Sequence, residues 1–255
     1  MSRVSTMSVA DYDFSEEYRT RMLVQDDIEP WERDEDSIFH VPVEEDMPDF
    51  GPESPPEQSA NEPSVTTAPP VIVTEPPRFS FYKRPITNLH PCEEMTLAQL
   101  YAIVTSDAAK AATEQLRSIT DEDAAKAFKR THFDYVTPAG IFTYRKADQI
   151  ITPSGYIVID IDDLPDATAV EDTFQLLLSV PRLETLLLFR SPSGHGLKWI
   201  IPVVNNQGHD HGFYFDAVSN YLKTFGIVAD PSGRDISRAC FVPHDPNAFL
   251  NPKYL

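Results

Sequence analysis

The amino-acid sequence predicts an α+β chain whose C-terminal part follows the order β-α-β-β-α-β, and three observations predict it. Apolar runs of strand length occur at YIVIDID (156–162), ETLLLFR (184–190), LKWIIPVV (197–204) and RACFVP (238–243). Longer stretches with helical periodicity, ATAVEDTFQLLLSV (167–180) and HDHGFYFDAVSNYLKTFG (209–226), separate the first run from the second and the third from the fourth. Glycine marks the breaks: Gly226 ends the second helix, and SPSGHG lies between the second and third strands. That order is the ferredoxin-like split βαβ arrangement, shared by RNA-recognition (RRM-like) folds and polymerase palms.

A helical segment precedes this core. Thr96 with Gln99 fits a capping box, and Leu97, Leu100, Tyr101 and Val104 form an apolar stripe at helical spacing. Alanine-rich turns follow (AAKAATEQLRSI), and a second cap signal, Thr120 with Asp123, opens AAKAFKR. Two short strand-like runs, FDYV (133–136) and IFTYR (141–145), are joined by Thr-Pro-Ala-Gly and are expected as a small hairpin.

Residues 1–77 read differently. They carry 19 acidic and 4 basic residues, a net of −15 out of −19 for the chain, and 11 of its 23 prolines. Such a composition buries too little apolar area to offset chain entropy, so 1–77 is expected to be a disordered acidic, Pro-rich leader and 78–255 the folded domain. Tyr18–Val24 and Trp31 are apolar islands suited to partner docking; a solubilising leader is the blander alternative. With the leader set apart, the folded part is nearly balanced in charge and admits a nucleic-acid partner.

Other classes drop out. No run of about 18 apolar residues is present, so no membrane span is expected. The N-terminus lacks a basic-then-apolar signal pattern. Cys92 and Cys240 are too few for a disulfide framework or a zinc site, and a cytoplasmic location follows as the default. Cys240 reads as a small buried apolar residue. The chain's end, PNAFLNPKYL, suggests the front module of a larger machine.

The polar residues of the core fall in three clusters. In the split βαβ order, the end of the first strand lies beside the starts of the third and fourth. Asp160 and Asp162, at i and i+2 on the first strand, share one face. Two carboxylates so close repel unless a cation sits between them, and hard oxygen ligands suit Mg²⁺ or Mn²⁺. Asp230, before the fourth strand, offers a third ligand, and two such ions assist phosphoryl transfer. The competing interpretation is a strand that ends in turn-forming aspartates.

The loop before the third strand, with Ser193, Gly194 and His195, can form an anion-binding nest, and Lys198 adds a charge suited to phosphate. A plain hairpin turn is the alternative. Arg238 would position phosphate or template. Lys129 and Arg130, then Arg145 and Lys146, with nearby aromatic residues, suit a nucleic-acid path, against the alternative of a solvated surface. His209 and His211 look like a metal pair, but a third ligand is missing and they read as surface.

VIDIDD (158–163), SPSGHGLKWII (191–201) and ADPSGRDISRACFVPHDP (229–246), taken in order, resemble the archaeo-eukaryotic primase superfamily. Within it the chain is similar to the primase-like N-terminal domains that accompany VirE-type helicases on bacterial mobile elements, across about residues 90–250. The resemblance implies a nucleotidyltransferase of DNA replication that binds nucleoside triphosphates and a single-stranded DNA template with Mg²⁺ or Mn²⁺. Asp160, Asp162 and Asp230 match the metal positions. Superfamily polymerases carry small-x-His at the start of the third strand; here that position is Lys198, and His195 lies three residues earlier. A VirE-type helicase is the implied partner. Two rival functions remain open: a non-catalytic nucleic-acid-binding module that recruits such a helicase, and an unrelated metal-dependent phosphotransferase or nuclease on the same sheet.

Overall fold

YIVIDI forms a wholly buried edge strand because apolar residues dominate both of its faces. In the computed structural model, which describes residues 75–203 and 210–255, this strand (Tyr156–Ile161) is buried at every position. The leader 1–74, with Tyr18–Val24 and Trp31, and His209 lie outside the described residues. In chain order the strands are β1 (Phe79–Tyr82), β2 (Glu93–Met95), β3 (Tyr135–Thr137), β4 (Gly140–Phe142), β5 (Ile150–Pro153), β6 (Tyr156–Ile161), β7 (Leu187–Arg190), β8 (Leu197–Pro202), β9 (Cys240–Phe241) and β10 (Phe249–Leu250). The α-helices are α1 (Leu97–Thr105), α2 (Lys110–Ser118), α3 (Glu122–His132), α4 (Ala167–Ser179) and α5 (His211–Lys223). The α+β class expected from the sequence is the class observed. No helix among the described residues is long and apolar enough to cross a membrane.

The main sheet has the order β10-β7-β8-β6. Strand β8 runs antiparallel to β6, from Tyr156 opposite Pro202 to Ile161 opposite Leu197. Strict alternation then sorts the side chains. Ile157, Ile159, Ile161, Leu197, Trp199 and Ile201 face α4 and α5, packing on Val170, Phe174 and Leu177 and on Phe215, Val218 and Leu222. Asp166 and Asp210 cap the two helices by accepting from the N–H groups of Ala169 and Phe213. The fully buried Trp199 donates its indole N–H to Thr185 Oγ1 at 2.8 Å, so its one polar atom is satisfied.

The opposite face carries Tyr156, Val158, Leu187, Phe189 and Ile200. It packs on Phe79, Phe81, Val136 and Cys240 of a second sheet, order β2-β1-β3-β9, and on Leu97, Leu100 and Val104 of α1. The Thr96–Gln99 capping box forms at the start of α1 as its spacing predicts. By the same alternation Asp160 and Lys198 belong to this inner face. Two charged side chains on a face so buried cannot be ordinary surface residues.

Three expectations about local structure are corrected. Asp121, one residue beyond Thr120, caps α3 by accepting from the Ala124 N–H. Strands β3 and β4 do not pair as a hairpin: β3 lies between β1 and β9, whereas β4 pairs with β5. The Phe142 N–H donates to Ser80 Oγ at 2.9 Å, and Pro138 supplies no N–H to a continued ladder. The run RACFVP does not flank the first core strand either. Its Cys240 and Phe241 pair with Val136 and Tyr135 of β3. Aspartate-led turns at Asp230–Arg234 and Asp235–Arg238 divert the chain before it can extend along β6, so β6 remains the sheet edge.

Candidate functional site

The free edge of β6 is where the carboxylates gather. Asp160 and Asp162 end the strand on one side, and Asp163, at φ 58°, turns the chain away. The chain leaving α5 returns to this point because the Asp230 N–H donates to the Asp160 carbonyl at 2.8 Å. Carboxylate oxygens of Asp160, Asp162 and Asp230 all lie within 4.8 Å of one another. Burial is graded across them: Asp160 is 1% exposed, Asp230 is half-buried and Asp162 stands at the exposed rim.

Three cations face the three acids. Lys198 lies directly opposite Asp160 in the β6–β8 ladder, and its Nζ is 2.6 Å from Asp160 Oδ2, an ion pair without hydrogen-bond alignment. Arg238 Nη2 is 2.9 Å from Asp230 Oδ2 and 3.6 Å from Asp160 Oδ2. Lys129 reaches in from α3, its ammonium 5.9 Å above the Phe241 ring. It lies within electrostatic reach of Asp160, Asp162, Lys198 and Arg238.

The protonation equilibria follow from this crowding. Burial works to lower the Lys198 ammonium, but Asp160, then Cys240 and Asp162, outweigh it and raise it. Burial lowers Lys129, and the positive charge of Lys198 adds to the effect. Asp162 is raised by its partial withdrawal from water and by Asp160 and Asp230, against the pull of Lys198. For Asp230, burial acts upward, yet Ser232, Arg238 and Lys198 together hold it below the usual carboxylate range. Asp230 also caps the turn at 231–234: Ser232 Oγ donates to its Oδ2 at 2.6 Å and the Ser232 N–H to its Oδ1 at 3.0 Å.

Neither oxygen of Asp160 accepts a hydrogen bond, and the ion pairs of Lys198 and Arg238 both go to Oδ2. Asp160 Oδ1 is buried and accepts no hydrogen bond, a state that ordinarily costs on the order of 1–3 kcal/mol. An oxygen-only donor set with one deeply buried, unsatisfied carboxylate oxygen fits a hard divalent cation.

The glycine loop flanks the cluster. A Cβ on Gly196 would come 2.4 Å from Ile161 O and 2.9 Å from Asp162 Oδ1, so only glycine allows the loop this close to the end of β6. Gly194 sits at φ 84°. Arg117 of α2 straps the loop from outside, donating to the carbonyls of Pro192 (3.2 Å) and Ser191 (3.3 Å). Ser193 and His195 point to an exposed rim, with Ser193 Oγ 3.1 Å from Ser191 Oγ.

The structure thus gathers Asp160, Asp162, Asp230, Lys198, Arg238 and Lys129, and sets the 193–195 loop beside them. It does not bring Arg145 or Lys146 there. Arg145 lies 5.2 Å over the Tyr135 ring and Lys146 pairs with Asp148 at 2.7 Å, while Arg130 is exposed on α3. His211 is not a surface residue: it is half-buried, with Nε2 3.2 Å from Gly233 O, and burial lowers its imidazolium. Cys240 is fully buried, as its residue type suggests, and burial pushes its thiol up to about 12. The closeness of Lys129 to the carboxylates went unread in the sequence, where it is one basic residue among several at a helix end. The Arg117 strap left no signal there either.

No curated protein and no solved structure matches the chain. Residues 127–250, the stretch that carries every carboxylate and every cation of the cluster, match the family model described as BT4734-like, N-terminal domain.

Proposed function

We propose that residues 78–255 form a primase-like nucleotidyltransferase domain of the archaeo-eukaryotic type, acting in replication of a mobile element or phage. The observation that carries this reading is the meeting of Asp160, Asp162 and Asp230, from two distant parts of the chain, around a buried carboxylate oxygen with no donor. In this reading those three carboxylates hold Mg²⁺ or Mn²⁺, which would activate an attacking oxygen and stabilise charge on a transferring phosphoryl group. Arg238 neutralises and orients phosphate oxygens beside them, and the 193–195 loop borders the triphosphate. Lys198 pairs with Asp160 beside them. The single-stranded DNA template, the nucleoside triphosphates, a VirE-type helicase partner and a cytoplasmic setting belong to the same proposal.

The experiment is dinucleotide synthesis from free nucleotides on single-stranded DNA with Mn²⁺, comparing wild type with Asp162→Asn. Synthesis by wild type and at least a hundred-fold loss in the variant supports the reading. Equal activity in both sinks it.

A second reading is favoured by one observation: the ion pair of Lys198 with Asp160 already supplies a positive charge where a metal would. It describes a non-catalytic nucleic-acid-binding module that recruits a helicase. DNA binding indifferent to chelation of divalent ions, with no synthesis, would select it.

A further inference from the structure

Helix α3 buries none of its side chains fully, yet it delivers one of them to the carboxylate cluster. Lys129 holds its ammonium over the Phe241 ring and is half-buried, which deprives the charge of much of its water. An ammonium so placed ordinarily has an acceptor. Among the described residues Lys129 has neither a hydrogen bond nor an ion pair, the contact with the Phe241 ring being the one close interaction of its charge. Close by, the Nε–H of Arg238 is also buried and without an acceptor. Two cationic donors therefore lack acceptors at the site where Asp160 Oδ1 lacks a donor.

The charge balance says what would satisfy all three. The formal charges of Asp160, Asp162 and Asp230 are matched by those of Lys129, Lys198 and Arg238, so the cluster is close to neutral as it stands. A divalent cation added alone leaves two uncompensated positive charges in a poorly hydrated site. A phosphate added alone meets three carboxylates. Added together, they restore neutrality and give each orphan atom a partner: the cation to Asp160 Oδ1, the phosphate oxygens to Lys129 and to Arg238 Nε. Lysine serves phosphate as a compact point charge, and a charge-assisted contact of this kind is among the stronger polar interactions.

We propose that Lys129 is a phosphate-binding residue of this cluster, and that the cluster takes a divalent cation and a phosphate group as a pair, each raising the affinity for the other. The proposal rests on the metal-site reading above and adds to it a residue from outside the β-α-β-β-α-β core. By linkage, the factor by which Mn²⁺ tightens phosphate binding must equal the factor by which phosphate tightens Mn²⁺ binding.

The test uses the full chain, with ATP as the phosphate probe, Mn²⁺ as the cation, and the variants Lys129→Ala and Lys129→Arg. ATP affinity is measured by calorimetry with Mn²⁺ and with a chelator; Mn²⁺ affinity without ATP is measured by electron paramagnetic resonance. Lys129→Ala is expected to weaken ATP binding in Mn²⁺ about ten-fold or more, and Lys129→Arg to retain most of it. Mn²⁺ alone should bind Lys129→Ala as tightly as wild type or tighter, because a repelling charge has gone. These opposite signs are not those of a merely structural lysine. ATP affinity unchanged in Lys129→Ala overturns the proposal and leaves the metal site standing. ATP binding that persists in chelator and still depends on Lys129 overturns the pairing and the metal reading, and keeps the lysine. No Mn²⁺ binding by wild type, with or without ATP, overturns both.

Discussion

Lys198 faces Asp160 across the β6–β8 ladder, and its ammonium rests 2.6 Å from Asp160 Oδ2 with both side chains almost wholly buried. A buried pair of this sort contributes little net stability, because desolvation offsets most of the attraction. Removing one member is a different matter. Asp160→Asn should destabilise the fold by about 3–5 kcal/mol, since Lys198 is then left buried without a counter-charge. Asp162→Asn, at the exposed rim, should cost less than about 1 kcal/mol. Urea unfolding of the two variants separates these outcomes; equal losses would show that the ion pair is not what holds Asp160 in place.

The reciprocal change exposes the carboxylate. In Lys198→Met the stem is kept and the charge removed, leaving Asp160 buried with only the longer contact to Arg238, 3.6 Å. The variant should melt below wild type in chelator. It should gain more in melting temperature than wild type on adding Mn²⁺, because a cation bound only by the native state stabilises it by mass action. Equal gains would show that the cation does not settle against Asp160.

Gly196→Ala tests the closeness of the loop to β6. The added methyl would meet a backbone carbonyl, which has no freedom to move aside without breaking the ladder. A loss of about 1–3 kcal/mol is expected, the usual range for forced overpacking. Phosphate binding should fall with it, as the 193–195 loop shifts relative to Asp162. A variant as stable as wild type in thermal unfolding would show that the loop adjusts freely.

His211 gives the fold a pH dependence. Burial holds its imidazolium below the ordinary value, so between the folded value and about 6.5 the unfolded chain binds more protons than the native one. Stability must therefore fall as pH drops below about 6.5, until the folded-state value is passed. Denaturant unfolding across this window should show a smaller loss for His211→Gln than for wild type. A parallel pair of curves would mean that another group dominates.

How much of this was legible in sequence depended on the range of the forces involved. Strands β6 and β8 and helices α4 and α5 announce themselves because one buried strand and one amphipathic helix each write a local pattern. Asp160 was legible for the same reason, as a charge interrupting an apolar run. The pairing of β9 was not, because a two-residue strand has no periodicity and its partner Tyr135–Val136 lies a hundred residues away. Strand β1, FSFY, is likewise too short to stand out between Arg78 and Lys83. The position of Lys129 depends on where α3 docks, through contacts such as the Ile86 N–H donated to the Arg130 carbonyl at 2.8 Å. No reading confined to KAFKRTH contains that information.

Helix α1 and strand β1 lie ahead of residue 127, where the family match begins, and they supply Phe79, Phe81, Leu97, Leu100 and Val104 to the layer that covers one face of the main sheet. The boundary of the match is therefore not a boundary of folding. A fragment started at 127 would keep every acid and base of the cluster, yet lose much of the apolar cover over Val158, Leu187, Phe189 and Ile200 and the Arg117 strap on the loop. Such a piece would be sticky before it could be functional.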